Sequence, residues 1–269
     1  MQEFINWFKN ADPDYAGTSD GVIIAMFIVA ILIVLLAIFS GIVQIVLMIK
    51  YIKYNRTQNS LGMTGQDIAR KCLDAEGLEH IKVKCTGSLI FGNSYSHYFK
   101  KVRLRRLTWK KTSISSMAMA TQKSCLAVLD KEGDKDMKTR IILTPLIYFG
   151  PIAIIPLILL GVVIDLLTTG MNFSFTIAFV LLSALLYVVS FVLSLMVLKT
   201  EVKAQKRALE VMEKDGIANA EEREMCKKLF KLYNIEYVNN IIMSLLELIY
   251  RVLQIVARAQ SSSSSSSRN

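Results

Sequence analysis

The chain has 269 residues, 53% of them hydrophobic, a mean hydropathy of +0.41 and a formal net charge of +10. Three long runs carry almost no charge, which excludes a secreted disulfide scaffold, a disordered chain and a cytosolic enzyme. Each run exceeds the roughly 20 residues a helix needs to cross a hydrocarbon core of about 30 Å. The sequence is that of an integral membrane protein.

Residues 1–20 hold Lys9 against Glu3, Asp12, Asp14 and Asp20. No basic n-region precedes the first apolar run, which is far longer than a signal h-region, so it reads as an uncleaved anchor. The first span is expected at 21–49. The next segment, 50–140, is polar and basic, and a helical hairpin of two further spans is expected over 141–198, with uncharged or nearly uncharged runs at Ile141–Leu167 and Phe173–Leu198. A second polar segment covers 199–239. Of 32 Lys and Arg residues, 19 lie between Lys50 and Arg140 and nine between Lys199 and Asn239. The positive-inside bias puts both segments in the cytoplasm and the N-terminus outside.

The fourth apolar stretch, 240–257, carries Glu247 and Arg251, spaced to pair on one helix face. Each ion costs about 2.5–3.5 kcal/mol at a bilayer centre. An amphipathic helix on the inner leaflet and a fourth span both remain open. Residues 258–269 are Ser-rich and expected to be disordered.

Within the first polar segment, Asn55–Gly62 reads as a linker. Thr64-Gly65-Gln66-Asp67 fits a capping box that opens a helix ending near Gly77. Ile81–Cys85 alternates like a strand, Tyr95–Leu107 is mixed, and Ser113–Leu129 reads as an Ala- and Met-rich helix. Lys199–Lys214 continues the third span as a charged helix. Asn219 with Glu222 caps another, running to about Tyr237. The basic cluster Lys100, Lys101, Arg103, Arg105 and Arg106 reads first as a solvated face, then as a membrane-surface patch, and last as a nucleic-acid site, for which no recognisable module is present. The four cysteines (Cys72, Cys85, Cys125 and Cys226) lack C-x-x-C spacing and are expected to be free thiols in a reducing compartment.

The order of these pieces resembles the bacterial membrane-bound neutral zinc metallopeptidases of the YugP type. The carrying residues are Met63-Thr64-Gly65 with Ala69-Arg70, Leu73-Asp74 and Gly77-Leu78, then His97-Tyr98, then Thr200-Glu201-Val202 with Ala204 and Arg207-Ala208-Leu209. The resemblance covers about Tyr54 to Val256. It implies a mainly α-helical, polytopic membrane protein with a small cytoplasmic α+β domain of metallopeptidase type, in a bacterial cytoplasmic membrane. It also implies an HExxH helix, whose histidines at i and i+4 hold Zn²⁺ while the glutamate acts on the metal-bound water.

Here the sequence departs from the family. Counted back from Gly133 and Arg140, the motif falls on Gln122-Lys123-Ser124-Cys125-Leu126, so both histidine positions and the glutamate are replaced. The histidines of the chain are His80 and His97, and no H-x-x-x-H occurs. The expectation is an inactive metallopeptidase homologue without cofactor, which binds a peptide or membrane-protein partner in the former substrate cleft. His97 and Glu201, with a thiol such as Cys125, are the residual metal candidates of an alternative, active peptidase with a rearranged zinc site. A second alternative is a transporter or channel subunit, for which Asp165 and the Pro145, Pro151 and Pro156 series are the available features. Finally, Lys123 is long enough to bring its ammonium to Glu201, with His97 as a neutral neighbour, in place of the lost metal; the rival placement is toward solvent, where most lysines point.

Overall fold

The computed structural model describes residues 2–12, 15–87, 92–168 and 174–266. They fold as α1 (Gln2–Ala11), α2 (Asp20–Arg56), α3 (Gly65–Ala75), β1 (Lys82–Thr86), β2 (Ser94–Ser96), β3 (Lys101–Arg105), α4 (Arg106–Lys110), α5 (Ile114–Lys131), α6 (Lys135–Thr168), α7 (Ser174–Lys214) and α8 (Ala220–Ser266). The protein is mainly helical with one small sheet. Among the described residues three helices are long and apolar enough to cross a membrane: α2, α7 and the stretch Ala220–Arg258 of α8. The second expected span falls within α6. The side chains of 145–154, with Pro145 and Pro151, lie outside the described residues, and the described remainder, Ile155–Thr168, is apolar but shorter than a span.

The chain divides into two compact units. One comprises residues 1–44 and 236–269. Here α1 lays Phe4 and Phe8 edge-on against Phe27 of α2, with ring centroids 4.5 and 5.2 Å apart. Tyr15, Met26 and Ala257 form a small core. The tail departs from expectation, because α8 stays helical to Ser266 instead of fraying after Ala257. Three contacts hold it: Thr18 Oγ1 donates to Ala257 O, Gly17 N–H to Ser261 Oγ, and Ser19 N–H to Gln260 Oε1. Low complexity does not reveal such partners, which lie more than 200 residues away in sequence. Residues 267–269 fall outside the described residues.

The other unit comprises residues 45–235 and holds the main core. Thr64 and Asp67 form the expected capping box on α3, and the chain turns at Gly77 with φ +64°, a conformation that glycine adopts without a Cβ clash. The sheet has the order β1-β3-β2, with β1 parallel and β2 antiparallel to β3. At the centre lies α5. Its small and flexible residues, among them Ala118, Ala120, Cys125, Ala127 and Met117, let neighbours approach on most sides, and 14 of its 18 residues are buried. Against it pack Ile68, Cys72 and Leu73 of α3, Val102 and Leu104 of β3, and Ala204, Ala208 and Val211 of α7. The strand expected at 81–85 forms one residue later, and the helix expected to end near Tyr237 continues as α8. Asn219 and Glu222 cap its start reciprocally, and Glu222 also accepts from Ser60 N–H and Oγ.

The α6–α7 hairpin explains Asp165. Gly161 lets the helices close to the point where a Cβ would stand 2.8 Å from Thr176 Cα. One turn further on, the Asp165 carboxylate accepts from Phe175 N–H at 3.0 Å and from Thr176 N–H and Oγ1 at 2.7 Å each. It satisfies the free amides that begin α7, and a negative charge there complements the helix dipole. This buried carboxylate is accounted for as a helix cap and lends no support to an ion path.

Candidate functional site: a carboxylate held by an ammonium and a guanidinium

Three helices supply the site. The buried α5 presents Gln122 and Lys123, the first turns of α6 present Arg140, and α7 presents Glu201 one turn beyond Leu198, where its uncharged run ends. The extension of α7 is clamped by ions. Lys199 bonds Asp136 at 2.9 Å, Lys203 bonds Asp134 at 2.8 Å and also Asp136, and Arg207 bonds Glu132 at 3.0 Å. These pairs flank Glu201 along the helix and hold its carboxylate toward α5.

Every strong contact of that carboxylate is with a nitrogen donor. Gln122 Nε2 and Lys123 Nζ each donate to Glu201 Oε2 at 2.7 Å, and Arg140 Nη2 donates to Oε1 at 2.7 Å. Of the two placements open to Lys123, toward Glu201 or toward solvent, the structure has the first. Side-chain exposure is 13% for Lys123, 16% for Glu201 and 18% for Arg140, so the group is largely screened from water. Burial alone raises the pKa of Glu201, but the charges of Lys123 and Arg140 and their hydrogen bonds outweigh it and hold the carboxyl down to about 2. Two cations face one anion, so the cluster carries a net positive charge. Arg140 Nη1 is buried with no hydrogen-bond partner among the described residues.

His97 is not the neighbour of this pair. Its Nδ1 lies 2.7 Å from Asp130 Oδ2, an atom that also accepts from Tyr95 OH at 2.6 Å and faces Lys100 Nζ at 3.7 Å. Burial raises the pKa of Asp130, yet the bonds from Tyr95 and His97 bring it below the ordinary carboxylate range. The cluster ties the sheet to the end of α5. Two members of these sites were missed in the sequence. Asp130 carried a legible signal, since 122, 126 and 130 follow one another at i+4 along one helix face. Arg140 carried none, because its partner is 61 residues away.

The remaining candidates lie elsewhere. Leu126 is buried in the core, and His80 is exposed in a turn. Cys125 is fully buried, and its thiol pKa is pushed well up, first by the hydrogen bond with Cys72 and then by burial. Burial likewise pushes Cys226 up to about 12. Neither thiol has the character of a nucleophile or ready ligand.

Zinc binds deprotonated sulfur, imidazole nitrogen or carboxylate oxygen. At this site Gln122 turns its amide N–H toward Glu201, Leu126 has no lone pair, and both Glu201 oxygens are engaged by cations. A dication there would sit against two positive charges. The residues do not fit a zinc ion, and among the described residues no group of three His, Cys, Asp or Glu side chains could hold a metal.

Comparison with known proteins gives the chain its relatives. It is 26% identical over 202 residues to "Putative membrane protease YugP" of Bacillus subtilis (strain 168), a match covering 75% of this chain and 84% of that protein. No solved structure matches it. A family model described as "Putative neutral zinc metallopeptidase" matches residues 28–256, most of the chain. This membrane protein therefore belongs to the neutral zinc metallopeptidase family.

Proposed function

We propose that this chain is a catalytically inactive member of its family, which acts by binding a peptide or membrane-protein partner where its relatives' substrates would lie. One observation carries the reading: the Lys123 ammonium lies 2.7 Å from Glu201. Lys123 stands at the position matched to the motif glutamate, so a fixed positive charge replaces the base. Glu201, the matched third-ligand candidate, is neutralised by side chains of this chain. Ligands and base are thus absent together, while α5, the clamp on α7 and the capped hairpin keep an ordered scaffold. The distribution of basic residues supports a bacterial cytoplasmic membrane location with the N-terminus outside and both polar segments inside.

Metal analysis tests the loss of activity. Purified protein is expected to hold well under one zinc per chain, and a chelator is expected to leave its Tm unchanged, because only a ligand of the folded state stabilises by mass action. Stoichiometric zinc together with a chelator-induced fall of several degrees refutes the reading in favour of a rearranged peptidase. Pull-down in detergent then tests the binding role: a specific membrane-protein partner should co-purify with the intact chain and be lost when the Glu201 cluster is disrupted.

A further inference from the structure

The small sheet buries apolar side chains on one face and carries basic ones on the other. Val102 and Leu104 of β3, with Val83 of β1 and Tyr95 of β2, turn into or pack on the core. Side chains alternate along a strand, so the intervening residues share the opposite face. The register sets Lys82 beside Lys101 and Lys84 beside Arg103, with Arg105 at the end of β3. Adjacent strands run about 4.8 Å apart, so five cations crowd two neighbouring strands.

Like charges directly opposite one another on a sheet are destabilising. Burial first, and then Arg103 and Lys84, lower the pKa of the Lys101 ammonium. Acidic side chains elsewhere quench such clusters, as they do for Lys199, Lys203 and Arg207. None of the five sheet cations has an ion-pair partner among the described residues. Beside them lies an exposed aromatic ring. Phe99 is 66% and Tyr98 69% exposed, and the Phe99 ring lies 4.3 Å from Lys101 Nζ and 5.8 Å from Arg103 Cζ.

We infer that this sheet face docks on an anionic lipid surface, with Phe99 and Tyr98 entering the interfacial zone and the five cations meeting lipid headgroups. Two features select a bilayer over a soluble acidic partner. Aromatic rings standing among Lys and Arg have the amphipathic composition of interfacial segments, where rings sit at headgroup depth and cationic heads reach the phosphates. The chain is also held in a bilayer by its apolar helices, so a lipid surface is present at high effective concentration. The inference is independent of whether the chain binds zinc or cleaves a peptide.

The test is a lysine footprint on the full chain. The protein is reconstituted in nanodiscs of phosphatidylcholine alone, or of phosphatidylcholine with phosphatidylglycerol, and treated with a neutral acetylating reagent. Acetylation of Lys82, Lys84 and Lys101 is read by mass spectrometry against Lys227 and Lys228, which are exposed on α8. Anionic lipid is expected to slow acetylation of the three sheet lysines several-fold relative to the α8 pair, and raised salt to reverse this by screening. Equal acetylation in both lipids overturns the inference. So does protection that appears only when polyglutamate or RNA is added to phosphatidylcholine discs, which would assign the face to a soluble polyanion.

Discussion

Removing the charge of Glu201 tests the site most directly. Its carboxyl drops from an ordinary 4.5 to about 2, and at roughly 1.4 kcal/mol for each pH unit the site, with burial opposing and the cations prevailing, favours the ionised form by a net of about 3 kcal/mol. Because the folded pKa is depressed, this stability is fully present above about 4.5 and is lost as pH falls toward 2. Glu201→Gln removes the anion and leaves Lys123 and Arg140 facing each other unpaired. Lys123→Met removes one cation and leaves Arg140 and Gln122 on the carboxylate. Breaking one side of a buried pair costs about 3–5 kcal/mol, so Glu201→Gln is expected to be the more harmful, lowering Tm by on the order of 10 °C at 2–4 °C per kcal/mol. Combined, the two changes should cost clearly less than their sum, with a coupling of about 1–3 kcal/mol. The assay is thermal unfolding in detergent of wild type, both single variants and the double variant, at neutral pH and through the acid range. Additivity within about 0.5 kcal/mol, or an acid-range slope unchanged in Glu201→Gln, would refute the claim that these charges hold the site together.

Two further outcomes are expected. Asp165→Ala strands the Phe175 and Thr176 amides at the start of α7 and should lower stability by about 1–2 kcal/mol, as loss of a helix cap does, whereas Asp165→Asn should recover most of it; equal stability of all three proteins in thermal unfolding would remove Asp165 from its capping role. For orientation, Ser96→Cys or Ala218→Cys, each in a Cys85→Ser background, should resist a membrane-impermeant thiol reagent in intact cells, and labelling from outside at either position would reverse the assigned topology.

How far the sequence could be read depended on the range of each interaction. Thr64 with Asp67 and Asn219 with Glu222 are three residues apart, so both capping boxes were legible and both form. The apolar runs were equally plain, being sums over 20 or more neighbours. Asp165 resembled an isolated intramembrane charge because its partners lie in the next helix, 10 and 11 residues on. The pairing of His97 with Asp130 bridges 33 residues, and a spacing rule for metal ligands carries no information about it. Lys123 and Glu201 are 78 residues apart. Their contact was foreseeable only because the family motif ties both positions to one metal, and the charge left by losing that metal needs a counter-charge.

That counter-charge argument leads to a last prediction, which separates Lys123 from Arg140. If the site lost zinc only by losing its ligands, the variant Gln122→His, Lys123→Glu, Leu126→His should regain it, since α5 is intact and 122 and 126 share one face. The geometry predicts otherwise. Arg140 Nη2 still holds Glu201 Oε1 at 2.7 Å, and a guanidinium offers a rigid fork of donors matched to a carboxylate. An incoming dication would have to displace or tolerate it. The triple variant is therefore expected to take up zinc only weakly, and addition of Arg140→Gln to strengthen uptake by an order of magnitude or more. Binding at 100 times Kd stabilises a fold by about 2.7 kcal/mol, so a zinc-dependent rise in Tm, larger in the quadruple variant, reads the difference without any assay of cleavage. Equal zinc affinity in the two variants would show that Arg140 is a bystander. In that case Lys123 alone, and not a two-cation lock, would account for the neutralised carboxylate.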